Sequence, residues 1–213
     1  MGPGVDGVGG SGVDGAGVDG VELAETIAGR PRDARIDSAV LDAAAELVVE
    51  VGYHRLTMVA VAERAGTTKT ALYRRWSGKA ELVHDVVFAQ MTRLPPSSGE
   101  METDLRTMVG AARDLFARPV TRVALPGLIA DMAADSALAR RVHAGFAEVF
   151  GGLRKRLFIA VERGEVHPDV DPDRLIEVVG GAAMLHVLLL RDREFDDAWT
   201  ERLVAIVLHG VMR

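Results

Sequence analysis

From residue 36 onward, apolar positions recur at three- and four-residue intervals, the period of helices packed on one side. Ile36, Val40, Ala43, Leu47 and Val51 mark one such face, and Gly52 ends it. A short helix is expected from a Thr57 cap to Ala65, then Gly66, then a second from about Thr68 to Arg75. Ser77-Gly78 opens a fourth, expected from Lys79 to about Arg93, with Leu82 and Val86 facing inward. Leu94-Pro95-Pro96-Ser97-Ser98-Gly99 breaks the pattern. Beyond it, Leu105, Met108, Val109, Ala112, Leu115 and Phe116 form one stripe, and Phe146, Phe150, Leu153, Leu157 and Val161 another, ended by Arg163-Gly164. Asp171-Pro172 is a cap followed by a first-turn proline. The helix it opens is apolar nearly all round from Leu175 to Leu190, which implies burial on several sides. The last helix, from Asp196, carries Trp199, Leu203, Ile206, Val207 and Gly210 on one face. No segment alternates as a strand would. The expected fold is all-α: an N-terminal three-helix unit containing a helix-turn-helix, plus a larger helical C-terminal domain.

Composition adds a tail. The first twenty residues hold nine of the 23 glycines and repeat Gly-Val-Asp-Gly at 4–7, 12–15 and 17–20. Such a segment cannot bury enough apolar surface to offset its chain entropy. The expected division is a flexible tail over 1–29, a helix-turn-helix domain over 30–94 and a larger helical domain over 100–213. The formal net charge of −6 argues against nucleic acid if taken whole. By segment, residues 1–29 carry five acids and no base, whereas 30–93 carry ten Lys/Arg against eight Asp/Glu. Local charge is what a phosphate backbone meets, so the basic excess points to one region.

Other classes recede. Cysteine is absent and the six histidines are scattered, so no disulfide, metal site or cofactor is expected. The N-terminus lacks a basic-then-apolar leader, and Leu175–Leu190 contains Glu177 and His186 and falls short of the roughly 20 residues of a membrane span. A cytoplasmic protein without a membrane partner is expected. No nucleophile elbow, phosphate-binding glycine loop, HExxH or paired-carboxylate constellation marks an enzyme.

The informative stretch is Thr57 to Lys79, TMVAVAERAGTTKTALYRRWSGK. Two short helices meet at Ala65-Gly66, where glycine permits a positive φ. Ala62 and Ala65 allow close approach over a pocket supplied by Met58, Val61, Leu72 and Trp76. The second helix would present Lys69, Thr70, Ala71, Arg74 and Arg75, short or basic groups suited to a groove lined with acceptors. This stretch closely resembles the TetR (tetracycline repressor) family over about Arg35 to Val87. The matching residues are Ala43-Ala44, Leu47, Gly52-Tyr53, Thr57, Ala62-Glu63-Arg64-Ala65-Gly66, Leu72-Tyr73-Arg74, Lys79 and Leu82. Further on, Arg163-Gly164-Glu165-Val166, Pro168-Asp169 and Asp171-Pro172 resemble a connector of actinobacterial members.

The resemblance implies a regulator that binds double-stranded DNA. Lys69, Thr70 and Ala71 would face base edges in the major groove, and Thr68 and Arg74 are further candidate DNA contacts. Tyr73 and Lys79 would hold phosphates, and Thr57 would cap its helix and point at another. Two departures stand out: Val59 replaces a frequent arginine, and Trp76-Ser77-Gly78-Lys79 replaces Phe-Pro-Ser-Lys. Arg32 and Arg35 could reach a minor groove or be ordinary linker.

For the C-terminal half, the resemblance implies a homodimer through the last two helices, spacing two recognition helices for a palindromic operator. It also implies a cavity for a small effector, and the few charges on the inner stripes point to an apolar or weakly polar one. Met108, Phe116, Met132, Phe146, Phe150, Met184 and His186 are its candidate lining, though each taken singly reads more readily as plain core, and His186 equally as a core or interface histidine. A repressor released by such an effector is the leading expectation; an activator or ligand-independent binder on the same scaffold remains open.

Overall fold

The computed structural model describes residues 34–88, 94–190 and 193–209. The Gly-rich tail, Arg32, residues 89–93 and Gly210 lie outside the described residues. Those described form ten helices and no strand: α1 (Ala34–Val51), α2 (Met58–Arg64), α3 (Lys69–Tyr73), α4 (Lys79–Phe88), α5 (Met101–Ala117), α6 (Pro119–Ala134), α7 (Ser136–Gly145), α8 (Ala147–Glu162), α9 (Pro172–Leu189) and α10 (Asp197–His209).

Local chemistry sets most boundaries. Gly52 takes φ +82° after α1. After α2, Gly66 takes φ +64°, and the amides of Gly66 and Thr67 donate to the carbonyls of Glu63 and Ala62, a glycine-centred C-terminal cap. Gly164 repeats this after α8, with its amide on Val161 and that of Glu165 on Ala160. Asp171 caps α9 through the amide of Asp173, and Pro172 fills the first turn.

The pattern of stripes did not predict α6 and α7. Two prolines obscure α6: Pro119 opens it, where its missing N–H is harmless, and Pro126 sits exposed in the helix interior. Asp135 ends α6 and caps α7, accepting from the amides of Ala137 and Leu138 at 2.8 and 3.1 Å. Phe146, expected inside the α8 stripe, is the joint between α7 and α8.

Helix α6 belongs to two cores. Val120, Ala124 and Leu128 pack with Val40, Val48, Val61, Leu72, Leu82 and Val87 of α1–α4. Leu125 packs instead with Leu115, Phe116, Ala183 and Val187 of α5 and α9. A third core joins Leu105 and Val109 to Leu153, Leu157 and Val204. The loop before α5 is fastened by Asp104, which is 4% exposed and accepts from Ser97 Oγ, Ser98 N and Ser98 Oγ at 2.6, 2.6 and 2.7 Å. Burial works against its charge, but these bonds and Arg156 at 3.6 Å hold the carboxyl below the usual carboxylate range. Arg156 also donates to the Pro95 carbonyl, Arg163 donates to Gly99 O at 2.8 Å, and Met101 N–H donates to Glu165 at 2.9 Å.

Candidate DNA-binding surface and effector cavity

The head, α1 to α4, is built around small and β-branched side chains that let short helices approach closely. Met58, Val61, Ala62, Leu72 and Trp76 are buried together, and Trp76 Nε1 donates to Asp85 Oδ2 at 2.8 Å. Two threonines start the helices. Thr57 Oγ1 accepts the amide of Ala60 at 3.2 Å, and Thr68 Oγ1 accepts that of Ala71 at 3.1 Å. Each hydroxyl accepts from its helix and keeps its own O–H for another partner.

This arrangement leaves one polar face outward. Thr57, Thr68, Lys69, Thr70 and Arg74 are exposed, Tyr73 is 47% exposed, and Ala71 is half-buried between them. Lys69 Nζ stands 5.6 Å from the centre of the Tyr73 ring. Lys79 is half-buried at the start of α4; its Nζ lies 4.6 Å above the Tyr53 ring and donates to the Tyr53 carbonyl at 3.4 Å. Ser77 supports that helix start, its amide and hydroxyl both donating to Glu81 Oε2 at 2.7 Å. The glycine-for-serine change before Lys79 is thus accommodated by Glu81 reaching back.

Arg75 departs from the expected face. Its guanidinium turns inward and pairs with Asp37 of α1, because α3 ends at Tyr73 and the chain has already turned toward the core. Val59 is exposed on α2, and Arg35 is exposed in the first turn of α1. Arg55 is exposed two residues before Thr57.

The body contains a cavity of about 550 Å³. Helix α5 supplies Leu105, Met108, Leu115 and Phe116, α8 supplies Val149, Phe150 and Leu153, and α9 supplies Leu175, Ile176 and Val179. Of the expected lining, Met108, Phe116 and Phe150 are there. The other four are not, for reasons of packing. Met132 lies against the head's core, and Met184 against Leu115 and Val187. His186 is buried, stacks on Phe195 at 4.4 Å and donates from Nε2 to the Arg193 carbonyl at 3.1 Å. Phe146 lies behind the wall, stacked on Phe150 at 5.6 Å and edge-on to Phe88 of α4 at 5.1 Å. Leu94, Pro95, Asp114, Arg118 and the α9 residues carried no mark that separated them from core or surface.

On the far side of α9 and α10, Val178, Leu185, Leu189 and Ile206 are exposed, Leu189 by 73%. Among the described residues, no helix is long and apolar enough to cross a membrane and no cluster of His, Cys, Asp or Glu could hold a metal ion.

Comparison with known proteins covers both halves. Residues 40–86 match the family described as bacterial regulatory proteins, tetR family, and residues 95–207 match the tetracyclin repressor-like C-terminal domain. The chain is 34% identical to the DNA-binding transcriptional repressor TetR of Mycobacteroides abscessus, over 83% of this chain and 93% of that protein. It is 31% identical to the HTH-type transcriptional regulator YdeS of Bacillus subtilis, over 86% and 93%. The crystal structure of the TetR family transcription regulator SCO0332 superposes with a TM-score of 0.66 at 32% identity, covering 84% of this chain and all of that one. With a helix-turn-helix head and an all-helical body each matched in its own right, this chain belongs to the TetR family of DNA-binding transcriptional regulators.

Proposed function

We propose that the protein is a dimeric repressor that holds a palindromic operator and lets go when a small, largely apolar molecule fills the body cavity. The observation that carries this reading is the position of α4. Its first residue, the half-buried Lys79, packs on Tyr53 of the head, while its last, Phe88, packs on Phe146, which stacks on Phe150 of the cavity wall. Packed cores shift between discrete arrangements rather than deform smoothly, so a ligand beside Phe150 acts on the head through this aromatic chain. Such a ligand must favour one spacing of the two heads over the other, because equal affinity for both shifts nothing.

Dimerisation rests on the exposed apolar faces of α9 and α10, and a two-fold pair sets two α3 helices about one DNA turn apart. Thr57, Tyr73 and Lys79 then position the head on phosphates, and Lys69, Thr70 and Ala71, flanked by Thr68 and Arg74, meet base edges. The repressor sense follows the Mycobacteroides abscessus relative. The test is fluorescence anisotropy with labelled duplexes from upstream of the protein's own gene. Two protomers per specific duplex, and at least a hundredfold preference over random sequence, are expected. No preference at any salt concentration would overturn the reading.

A further inference from the structure

Two charged residues reach a cavity otherwise walled by apolar and small groups: Asp114 and Arg118. Their circumstances differ. The carboxylate of Asp114 accepts from Arg113 Nε and Nη2 at 2.9 and 2.7 Å, and its side chain is 69% exposed. Arg118 is half-buried at the joint between α5 and α6. Among the described residues no carboxylate pairs with it; one bond, from Nη1 to the Val87 carbonyl of α4 at 3.4 Å, engages one of its five donors. A guanidinium bordering an apolar space is under-satisfied without a counter-charge, and its planar fork fits a carboxylate or phosphate with two parallel bonds.

The lining residues run along α5 from Leu105 to Arg118 just past its end, about 20 Å at 1.5 Å per residue, with both charged groups at that end. With Val149, Phe150 and Leu153 of α8 and Leu175, Ile176 and Val179 of α9, those residues give the space an apolar wall that carries its charge at one end. From this geometry we infer that the cavity takes an unbranched amphiphile with one anionic head: the chain lies along α5 and the head pairs with Arg118. The inference rests on the effector reading above and gives that effector a chemistry. It also assigns Arg118 a second effect. The same guanidinium holds the carbonyl of Val87, in the last turn of α4, so a head group that captures Arg118 draws on the helix that carries Lys79. The charge of the ligand, and not its volume alone, then weakens DNA binding.

The experiment is calorimetry on the full chain with dodecanoate, dodecyl phosphate, dodecanol and dodecylamine, each below its micelle concentration. Operator release by the same four compounds is followed by anisotropy, each variant compared with its own unliganded state. The wild type should bind at least one of the two anions at least tenfold more tightly than the alcohol and reject the amine; the better anion tells a carboxylate from a phosphate head. Arg118→Gln, which keeps a donor but loses the charge, should bring the anions down to the affinity of the alcohol while leaving the alcohol within about twofold. Arg118→Lys should recover most of the difference. Equal binding of anion and alcohol, equal losses of both in Arg118→Gln, or no binding of any of the four would overturn the inference. Release by all four alike would sink the anion site while leaving an effector cavity standing. A protein that fails to select its upstream DNA would sink the regulator reading, with the calorimetry still deciding on Arg118.

Discussion

The hydroxyl of Tyr53, just beyond α1, donates its hydrogen bond to Asp131 on α6. Its ring lies so close to Gly127 that a Cβ there would clash with it, and Lys79 Nζ stands 4.6 Å over the same ring. Burial first, and then Asp131, pushes the hydroxyl well above the usual tyrosine range, so it remains a donor at any physiological pH. Head and body are therefore joined through one aromatic side chain as well as through α4.

Breaking that joint should show in stability before function. Gly127→Ala overpacks a buried ring and should cost about 1–3 kcal/mol. Tyr53→Phe, which keeps the ring, should cost about 1–2 kcal/mol for the lost bond and the carboxylate left behind. Thermal melts measure both; a Gly127→Ala protein as stable as wild type would mean that Tyr53 moves aside freely.

The polar face of the head separates into anchoring and reading. Lys79→Ala should weaken specific and random DNA alike and lower the salt slope by about one unit per protomer. Lys69→Ala or Thr70→Ala should cost roughly 1–3 kcal/mol at one or two operator positions and relax preference there. Arg75→Ala is the contrasting case: with its partner Asp37 left behind, it should lower the melting temperature without changing the preferred sequence. Binding to a randomised duplex library, read by sequencing, distinguishes these outcomes.

Asp104 gives stability a dependence on acid. Its folded pKa lies below the unfolded value of about 3.9, so its contribution is complete above that range and is lost as pH falls through the folded value. Asp104→Asn should cost about 1–3 kcal/mol at pH 7, and the gap to wild type should narrow as the pH drops below about 4. A gap constant from pH 7 to pH 3 would show that the charge contributes nothing.

The outer faces of α9 and α10 predict a self-association of about the standard 1,600 Å² or more. Leu189→Glu or Ile206→Asp should give monomers with unchanged helical content and lost operator binding. Sedimentation at micromolar concentration checks this; a monomeric wild type would refute it.

Much of this was legible in order along the chain. The helix-turn-helix was, because its requirements are local: Gly66 for a left-handed turn, Ala62 for close approach, Thr57 for a cap. The orientation of Arg75 was not, because it depends on Asp37, distant in sequence and brought near only by packing. The all-α class was plain, yet α6 and α7 were missed because Pro119, Pro126 and a short polar helix blur the apolar period. The cavity was the least legible, since a wall and a core use the same side chains. Met132 and Met184 fill space whereas Met108 borders it, and no property of methionine tells them apart.

The double allegiance of α6 limits how such proteins can be recombined. A fragment ending in the loop after α4 would leave behind Val120, Ala124 and Leu128, and would expose the apolar floor they cover beneath Val40 and Val87. The DNA-reading portion is therefore not a cassette. Grafting it onto another regulator's body transfers half of a packing surface, and a functional chimera must bring α6, or a helix matched to it, across the junction.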